Sequence, residues 1–294
     1  MTGALLRVAG LVKTYPGRLS TARLCAIDDV SFDVRAGQVV GLMGETGCGK
    51  STTVRCIVGL EKPDGGEISY DGMNMIEASR RDRARFRREV QMVFQNPYAS
   101  LNPRMNVEQL VGEGLKVHGL ERSREKRRDR VVEILEMVGL DSGHLARAPR
   151  SFSGGQRQRI AIARALAVNP RVLICDEPVS ALDVSVRAQI VNLLADMRDR
   201  LGLTVIFIAH DPAVLRHLCD HIVVMRAGQA VEQGTAAEVF TRPQHAYTQS
   251  LLAAVPIPDP PADRARRARA AGIRARSTEN RTPPAGVVPA AGGC

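Results

Sequence analysis

Apolar positions near the start of the chain fall into short β-type segments. Residues 5–12 and 26–34 are apolar with β-branched members and turn residues between them, which predicts two strands. Residues 37–43 form a shorter, more strongly apolar run that ends in a glycine-rich stretch, and residues 51–60 then read as a helix. Strand, loop and helix in that order open an α/β unit. From residue 77 to about 168 the texture changes. Segments 80–88 and 121–130 are dense in arginine and read as solvated helix faces, while 131–138 carries apolar side chains at helical spacing. This whole stretch is predicted to be mostly helical and inserted into the α/β body. Buried-type strands return at 172–175, 203–209 and 222–225, with a helix over 184–201. Beyond residue 255 proline, alanine and arginine dominate and little is left to bury. Residues 256–294 are therefore expected to be a linker and tail, largely disordered in isolation.

Composition narrows the function classes. The 294 residues suit one large domain or two ordinary ones. Aromatic residues make up only 3% and tryptophan is absent, which argues against a nucleic-acid reader built on stacked rings. The formal charge of +10 suits nucleic acid, phosphorylated ligands or an anionic membrane surface. It is unevenly placed: residues 263–281 hold seven arginines against two acids. That tail is expected to be a solvated one, with contact to anionic lipid as the sharper alternative. No apolar run is long enough to cross a bilayer, and the first residues lack the charged leader and apolar core of a secretory signal. The six cysteines, at 25, 48, 56, 175, 219 and 294, contain no CxxC pair, so neither a disulfide framework nor a zinc site is expected. A reducing cytosol is the natural setting.

Three elements carry chemistry. Gly44, Glu45, Thr46, Gly47, Cys48, Gly49, Lys50, Ser51 and Thr52 fit the pattern GxxxxGK[ST]. Glycines let the backbone curl so that its N–H groups cradle phosphate oxygens, and the following helix adds its positive end. Lys50 is placed to reach the β- and γ-phosphates, and the Ser51 hydroxyl to ligate Mg²⁺. The second element is the run 172–177, four apolar residues that deliver Asp176 and Glu177 at a strand's carboxyl end, where ligands of open α/β sheets bind. Asp176 is placed to hold Mg²⁺ through water and Glu177 to polarise an attacking water as general base. The third is Ser153, Gly154, Gly155 and Gln156 at a helix start; alone it fits an anion-binding loop or a plain helix N-cap equally well.

Together these elements resemble the nucleotide-binding subunit of an ABC transporter, whose signature loop matches residues 153–156, with Phe152 where a leucine is usual. The resemblance covers nearly the whole chain up to residue 255. It implies an ABC-type P-loop NTPase: a RecA-like core with an antiparallel β subdomain (1–94 and 170–255), an inserted helical subdomain (95–169) and a C-terminal tail (256–294). It implies ATP and Mg²⁺ as ligands. It places Tyr15 against adenine, Gln95 at the hinge as a sensor of Mg²⁺ and γ-phosphate, Asp183 in the loop lining a dimer interface, and His210 as the switch histidine at the γ-phosphate. Taken singly, Tyr15 fits a turn aromatic, Gln95 a surface amide and His210 a capping residue; their joint order is what carries the resemblance.

A narrower likeness lies in VFQNPYASLNPRM at 93–105, HAYTQSLL at 245–252 and VPIPDP at 255–260, which resemble oligopeptide/dipeptide importers. This implies hydrolysis of ATP coupled to uptake through separate transmembrane permease subunits. It also implies a second ATPase subunit of the same or a homologous chain, an extracytoplasmic binding protein acting indirectly, and a peripheral place on the cytoplasmic face of the membrane. Nickel, glutathione or sugars remain alternative cargoes. Relatives of this kind often end in a cysteine-rich segment for an iron–sulfur cluster; Cys294 supplies one of the four ligands needed, so a cluster in this chain is not expected, and either it is absent or the chain is shortened. A GTPase lacks support, since no Asn-Lys-x-Asp guanine reader is present, and a small-molecule kinase would not need residues 153–156. A soluble ABC ATPase acting on nucleic acid would separate its two halves by long coiled coils, and only about one hundred residues without sustained heptads part Lys50 from Ser153.

Overall fold

The computed structural model describes residues 3–16 and 23–254. The basic run 264–281, the proline segment and Cys294 lie outside the described residues. Strands β1 (Leu6–Pro16) and β2 (Arg23–Val34) pair antiparallel, followed by β3 (Val39–Met43) and helix α1 (Lys50–Ile57). Next come β4 (Gly65–Tyr70), β5 (Met73–Asn74), α2 (Arg80–Glu89) and β6 (Val90–Val93). Only helices then follow until β7: α3 (Pro97–Ser100), α4 (Val107–Val117), α5 (Arg124–Met137), two 3₁₀ turns (Ser142–His144 and Pro149–Ser151) and α6 (Gly154–Leu166). The chain continues through β7 (Val172–Asp176), α7 (Val184–Leu201), β8 (Thr204–Ile208), α8 (Pro212–Leu218), β9 (His221–Arg226), β10 (Gln229–Thr235) and α9 (Ala236–Thr241). These elements belong to one unit, Met1–Arg242. The helix α10 (Ala246–Ala253) belongs to a second, beginning at Pro243, where the His245 ring caps it by accepting from the Tyr247 N–H.

Two sheets result. The smaller has the order β2-β1-β4-β5 and is antiparallel; the larger has the order β10-β9-β3-β8-β7-β6. In the larger sheet β3, β6, β7, β8 and β9 run parallel, and β10 pairs antiparallel with β9. Every residue of β3, β7 and β8 is buried, as expected for parallel strands covered on both faces. One core joins the two sheets. Leu6, Val8, Ile27, Phe32 and Ile68 of the smaller sheet share a cluster with Val54 and Ile57 of α1 and with Val40, Ile174, Ile206 and Val223 of the larger. The α7 boundaries fall where the sequence puts them, because Asp183 caps its N-terminus and Gly202 ends it in the left-handed conformation.

The stretch from 77 is mostly helical, as expected, but it also holds one strand that the sequence pattern does not predict: Val90–Val93 pairs with β7 and forms the edge of the parallel sheet. The last residue of α2, Glu89, directly precedes β6, so no turn residue marks the change. The strand's two inner residues, Gln91 and Met92, are only half-buried.

A charge cluster braces the junction of the two sheets. Glu89, nearly buried, accepts from the Tyr70 hydroxyl at 2.9 Å and from Arg85 Nε at 3.0 Å, and Arg171 Nη1 lies 3.8 Å from it. Arg85 and Arg171 also reach Asp71, in the β4–β5 turn, at 2.7 and 3.4 Å. Burial opposes ionisation of Glu89, but the hydrogen bonds from Arg85 and Tyr70 and the arginine charges outweigh it and hold the carboxyl below its ordinary value. Glu89→Gln should destabilise the protein by about 1–3 kcal/mol at neutral pH, read by urea unfolding. Because the folded value is depressed, the stabilisation is complete above the unfolded carboxyl's value of 4.5 and disappears as pH falls through the lower folded one. The gap between wild type and variant should therefore close in acid; a gap unchanged at low pH would refute the ionic account.

Candidate functional site

The glycine-rich loop leaves β3 at the centre of the parallel sheet, between β9 and β8. Its shape is set by glycine at two close approaches. A Cβ on Gly44 would stand 2.2 Å from the Met225 carbonyl oxygen, and one on Gly49 would stand 2.4 Å from that of Ala26; both residues have positive φ, 153° and 107°. Glu45, Thr46 and Gly47 form an exposed tip. Gly228, in the β9–β10 turn, braces the loop by donating to the Cys48 carbonyl at 3.0 Å. No side chain caps α1, unlike α4, α6 and α7, which leaves its first-turn N–H groups for a ligand.

Lys50 is only 4% exposed. Its ammonium donates to the carbonyls of Gly44 and Glu45, both at 2.8 Å, and lies 3.6 Å from the Cys48 sulfur, which is itself buried under the loop. Ser51 donates its hydroxyl to Asp176 Oδ1 at 2.8 Å, tying the loop to the end of β7. Burial pushes the Asp176 carboxyl up, against the hydrogen bond from Ser51 and the nearby charges of Arg55 and Lys50. Hydroxyl, carboxylate and amide oxygens are the hard donors that suit magnesium, and Ser51, Asp176 and Gln95 supply that set.

Glu177 follows on the same strand end and is 6% exposed. Its carboxylate accepts from Gln95 Nε2 at 2.7 Å and contacts His210 Nε2 through its other oxygen. Gln95 is thus no free surface amide. Nor is His210 a helix cap, for Asp211 caps α8 by accepting from the Ala213 N–H. Glu177 has a positive φ of 48°, rare for a residue with a Cβ. Its N–H donates to the Ile208 carbonyl, and its own carbonyl accepts from Ser180. The surroundings therefore hold a backbone that costs about 1–3 kcal/mol, the kind of strain found at functional residues.

Tyr15 lies within β1, not in a turn, with the Lys13 ammonium 5.4 Å from its ring centre. Burial and the nearby Glu61 charge push its pKa up. Glu61 carries no motif signal, and sequence reasoning missed it. Asp183 spends its carboxylate on the N-terminus of α7, accepting from the Val186 N–H at 2.9 Å and the Ser185 hydroxyl at 2.8 Å, which holds its pKa down. Ser153 and Gln156 form a reciprocal capping box at the start of α6. A Cβ on Gly155 would stand 2.4 Å from Val186 Cγ1, so the loop lies close against the start of α7. The described side-chain hydrogen bonds of Ser153 and Gln156 are to each other's backbone N–H groups, and none reaches the phosphate loop. The structure therefore gathers Lys50, Ser51, Asp176, Glu177, Gln95 and His210 into one site and leaves residues 153–156 as a separate surface.

The family model for ABC transporters matches residues 27–180, which contain the phosphate loop, both carboxylates and residues 153–156. The chain belongs to the ABC transporter family. A second family model, the C-terminal region of oligopeptide/dipeptide transporters, matches residues 231–294. The oligopeptide transport ATP-binding protein OppF of Bacillus subtilis (strain 168) is 48% identical over 267 residues, which span 90% of this chain and 87% of that protein. The dipeptide transport ATP-binding protein DppF of Haemophilus influenzae is 46% identical, with 86% of this chain and 78% of that protein covered. Among solved structures, the dimeric ATP-binding cassette MJ0796 in a post-hydrolysis state, bound to ADP and Pi, aligns with a TM-score of 0.71 at 31% identity. That alignment covers 79% of this chain and 98% of that one. This ABC cassette thus has the expected α/β fold, with the antiparallel sheet beside the parallel one. Among the described residues no helix is long and apolar enough to cross a membrane.

Proposed function

We propose that this ABC ATPase energises peptide uptake through separate transmembrane permease subunits, from the cytoplasmic face of the membrane. Peptide as cargo is supported by the relatives' names and by the oligopeptide/dipeptide match at residues 231–294. The observation that carries the ATPase reading is the convergence of Gln95 and His210 on the Glu177 carboxylate, one residue from the Ser51–Asp176 pair. In this reading Lys50 exchanges its loop carbonyls for phosphate oxygens, and Tyr15 supports the base. A magnesium ion held by Ser51 and Gln95, with Asp176 behind it through water, would offset phosphate charge. Glu177 takes a proton from water while the water oxygen bonds to the γ-phosphorus and the β–γ bridge breaks; Gln95 and His210 orient that carboxylate.

Residues 153–156 are assigned to the ATP of a second subunit, of the same or a homologous chain. Support comes from their distance in function from this chain's own site and from the dimeric form of the structural relative. Asp183 is assigned to that interface, and residues 95–169 to a helical subdomain that moves against the core of 1–94 and 170–255, ahead of a tail at 256–294. An extracytoplasmic binding protein acts only through the permease, and no nucleic acid takes part.

The test is reconstitution of the full complex in vesicles. A peptide-loaded binding protein should stimulate magnesium-dependent ATP hydrolysis and peptide uptake together. Stimulation by a nickel- or glutathione-loaded protein in its place would replace the cargo, and hydrolysis insensitive to every permease subunit would overturn the transport role.

A further inference from the structure

We propose that Arg157 is a positioning residue that, with Arg164, fastens the one-turn helix α3 to the signature helix α6. The Gln95 segment and the loop 153–156 then shift as one body. The inference rests on the ATPase reading above, since it assigns those two segments to nucleotide.

Gln95 is joined directly to α3, which Asn96 caps by accepting from the Tyr98 N–H at 2.9 Å. Tyr98 is 61% exposed, yet the Arg157 guanidinium sits 4.0 Å from its ring centre. The same guanidinium donates through Nε to the Pro149 carbonyl at 2.9 Å and through Nη2 to that of Arg150 at 3.1 Å. Those carbonyls belong to the 3₁₀ turn that leads into Ser153. A planar guanidinium can offer its face to a ring and its edge to two carbonyls at once; an ammonium cannot. Seven residues on, and on the same face of α6, Arg164 Nη1 donates to the Ser100 carbonyl at 2.6 Å. Both ends of α3 are therefore held by arginines of α6. From the other side, Arg147 stacks 4.6 Å from the centre of Phe152 and donates to the Ser151 carbonyl at 2.9 Å, which completes the support of the loop's approach.

The chain of contacts runs from Glu177 through Gln95 and α3 to Arg157 and the entry of the signature loop. Gln95 attends this chain's own nucleotide and residues 153–156 the partner's, so the clamp makes each subunit report the state of one site to the other.

The test uses the full reconstituted complex and four variants. Arg157→Lys and Tyr98→Leu should each lower kcat for stimulated hydrolysis roughly three- to tenfold, the range for residues that carry coupling without touching ligand. The Kd of the full chain for a fluorescent ATP analogue should stay within about twofold of wild type, since neither residue belongs to the phosphate site. Tyr98→Phe keeps the ring and should retain wild-type turnover. The double variant Arg157→Lys/Tyr98→Leu should be no slower than the worse single one. Wild-type kcat in both single variants, additive losses in the double one, or a weakened Kd that accounts for the loss would overturn the clamp. Lys50→Ala is the control: its failure to weaken nucleotide binding overturns the ATPase reading itself, whereas normal kcat in the clamp variants alongside a disabled Lys50→Ala rejects the clamp only.

Discussion

Glu177→Gln should bind ATP with near wild-type affinity and lose roughly 10²–10⁴-fold in turnover, the contribution of a positioned general base. The amide keeps the size and the contact to Gln95 but accepts no proton from water. The carboxylate is buried, approached on one oxygen by Gln95 and on the other by His210, and carried on a left-handed backbone held by Ile208 and Ser180. A group so fixed gives up little orientational freedom on reaching the transition state, so removing its basicity should cost rate and not binding. ATP should accumulate in a paired, unhydrolysed complex. Phosphate release measured beside size-exclusion chromatography checks both halves, and normal phosphate release by the variant would remove Glu177 from the role of base.

Lys50→Ala should weaken ATP binding by about one to two orders of magnitude, the effect of losing a charge-assisted hydrogen bond to phosphate. The comparison is not with a bare ammonium. In the structure Lys50 already has the Gly44 and Glu45 carbonyls as partners, so phosphate gains only the difference between two sets of acceptors. That moderates the expected loss; the freed Glu45 carbonyl lies at the exposed loop tip and is readily hydrated, whereas the buried Gly44 carbonyl loses its partner, so Lys50→Ala should fold with a modestly lowered Tm. A fluorescent-nucleotide titration with a melting curve on the same sample decides it: unchanged affinity would refute the phosphate-loop assignment.

Much of this architecture was legible in the residues. Buried parallel strands leave uninterrupted apolar runs, and β7, β8 and the buried middle of β9 were visible for that reason. Helix α7 was marked at both ends by residues whose conformations stop helices, Asp183 and Gly202. The strand β6 was not legible: at four residues, with a glutamine inside and an arginine-rich helix joined to it without a turn, neither period has room to show. At the site, the phosphate loop and the two carboxylates could be read from spacing alone. Gln95 and His210 could not, since each meets Glu177 only through tertiary structure, 82 residues apart for Gln95. Family resemblance supplied those two. Neither source pointed to Arg157 across Tyr98, because one side chain anchoring another leaves no periodic trace in one dimension.

The turn between β9 and β10 looks like a place where a surface hairpin would tolerate extra length. Its Gly228 nevertheless accepts from the Asp28 N–H at 2.8 Å while it donates to Cys48, and neighbouring Gln229 donates to the Asp28 carboxylate at 2.7 Å. Adding one residue there would break register with two distant parts of the chain together. A tag, epitope or fluorophore graft at 227–228 would thus disturb the nucleotide pocket from outside it, and this hairpin is the wrong insertion point for labelling the cassette.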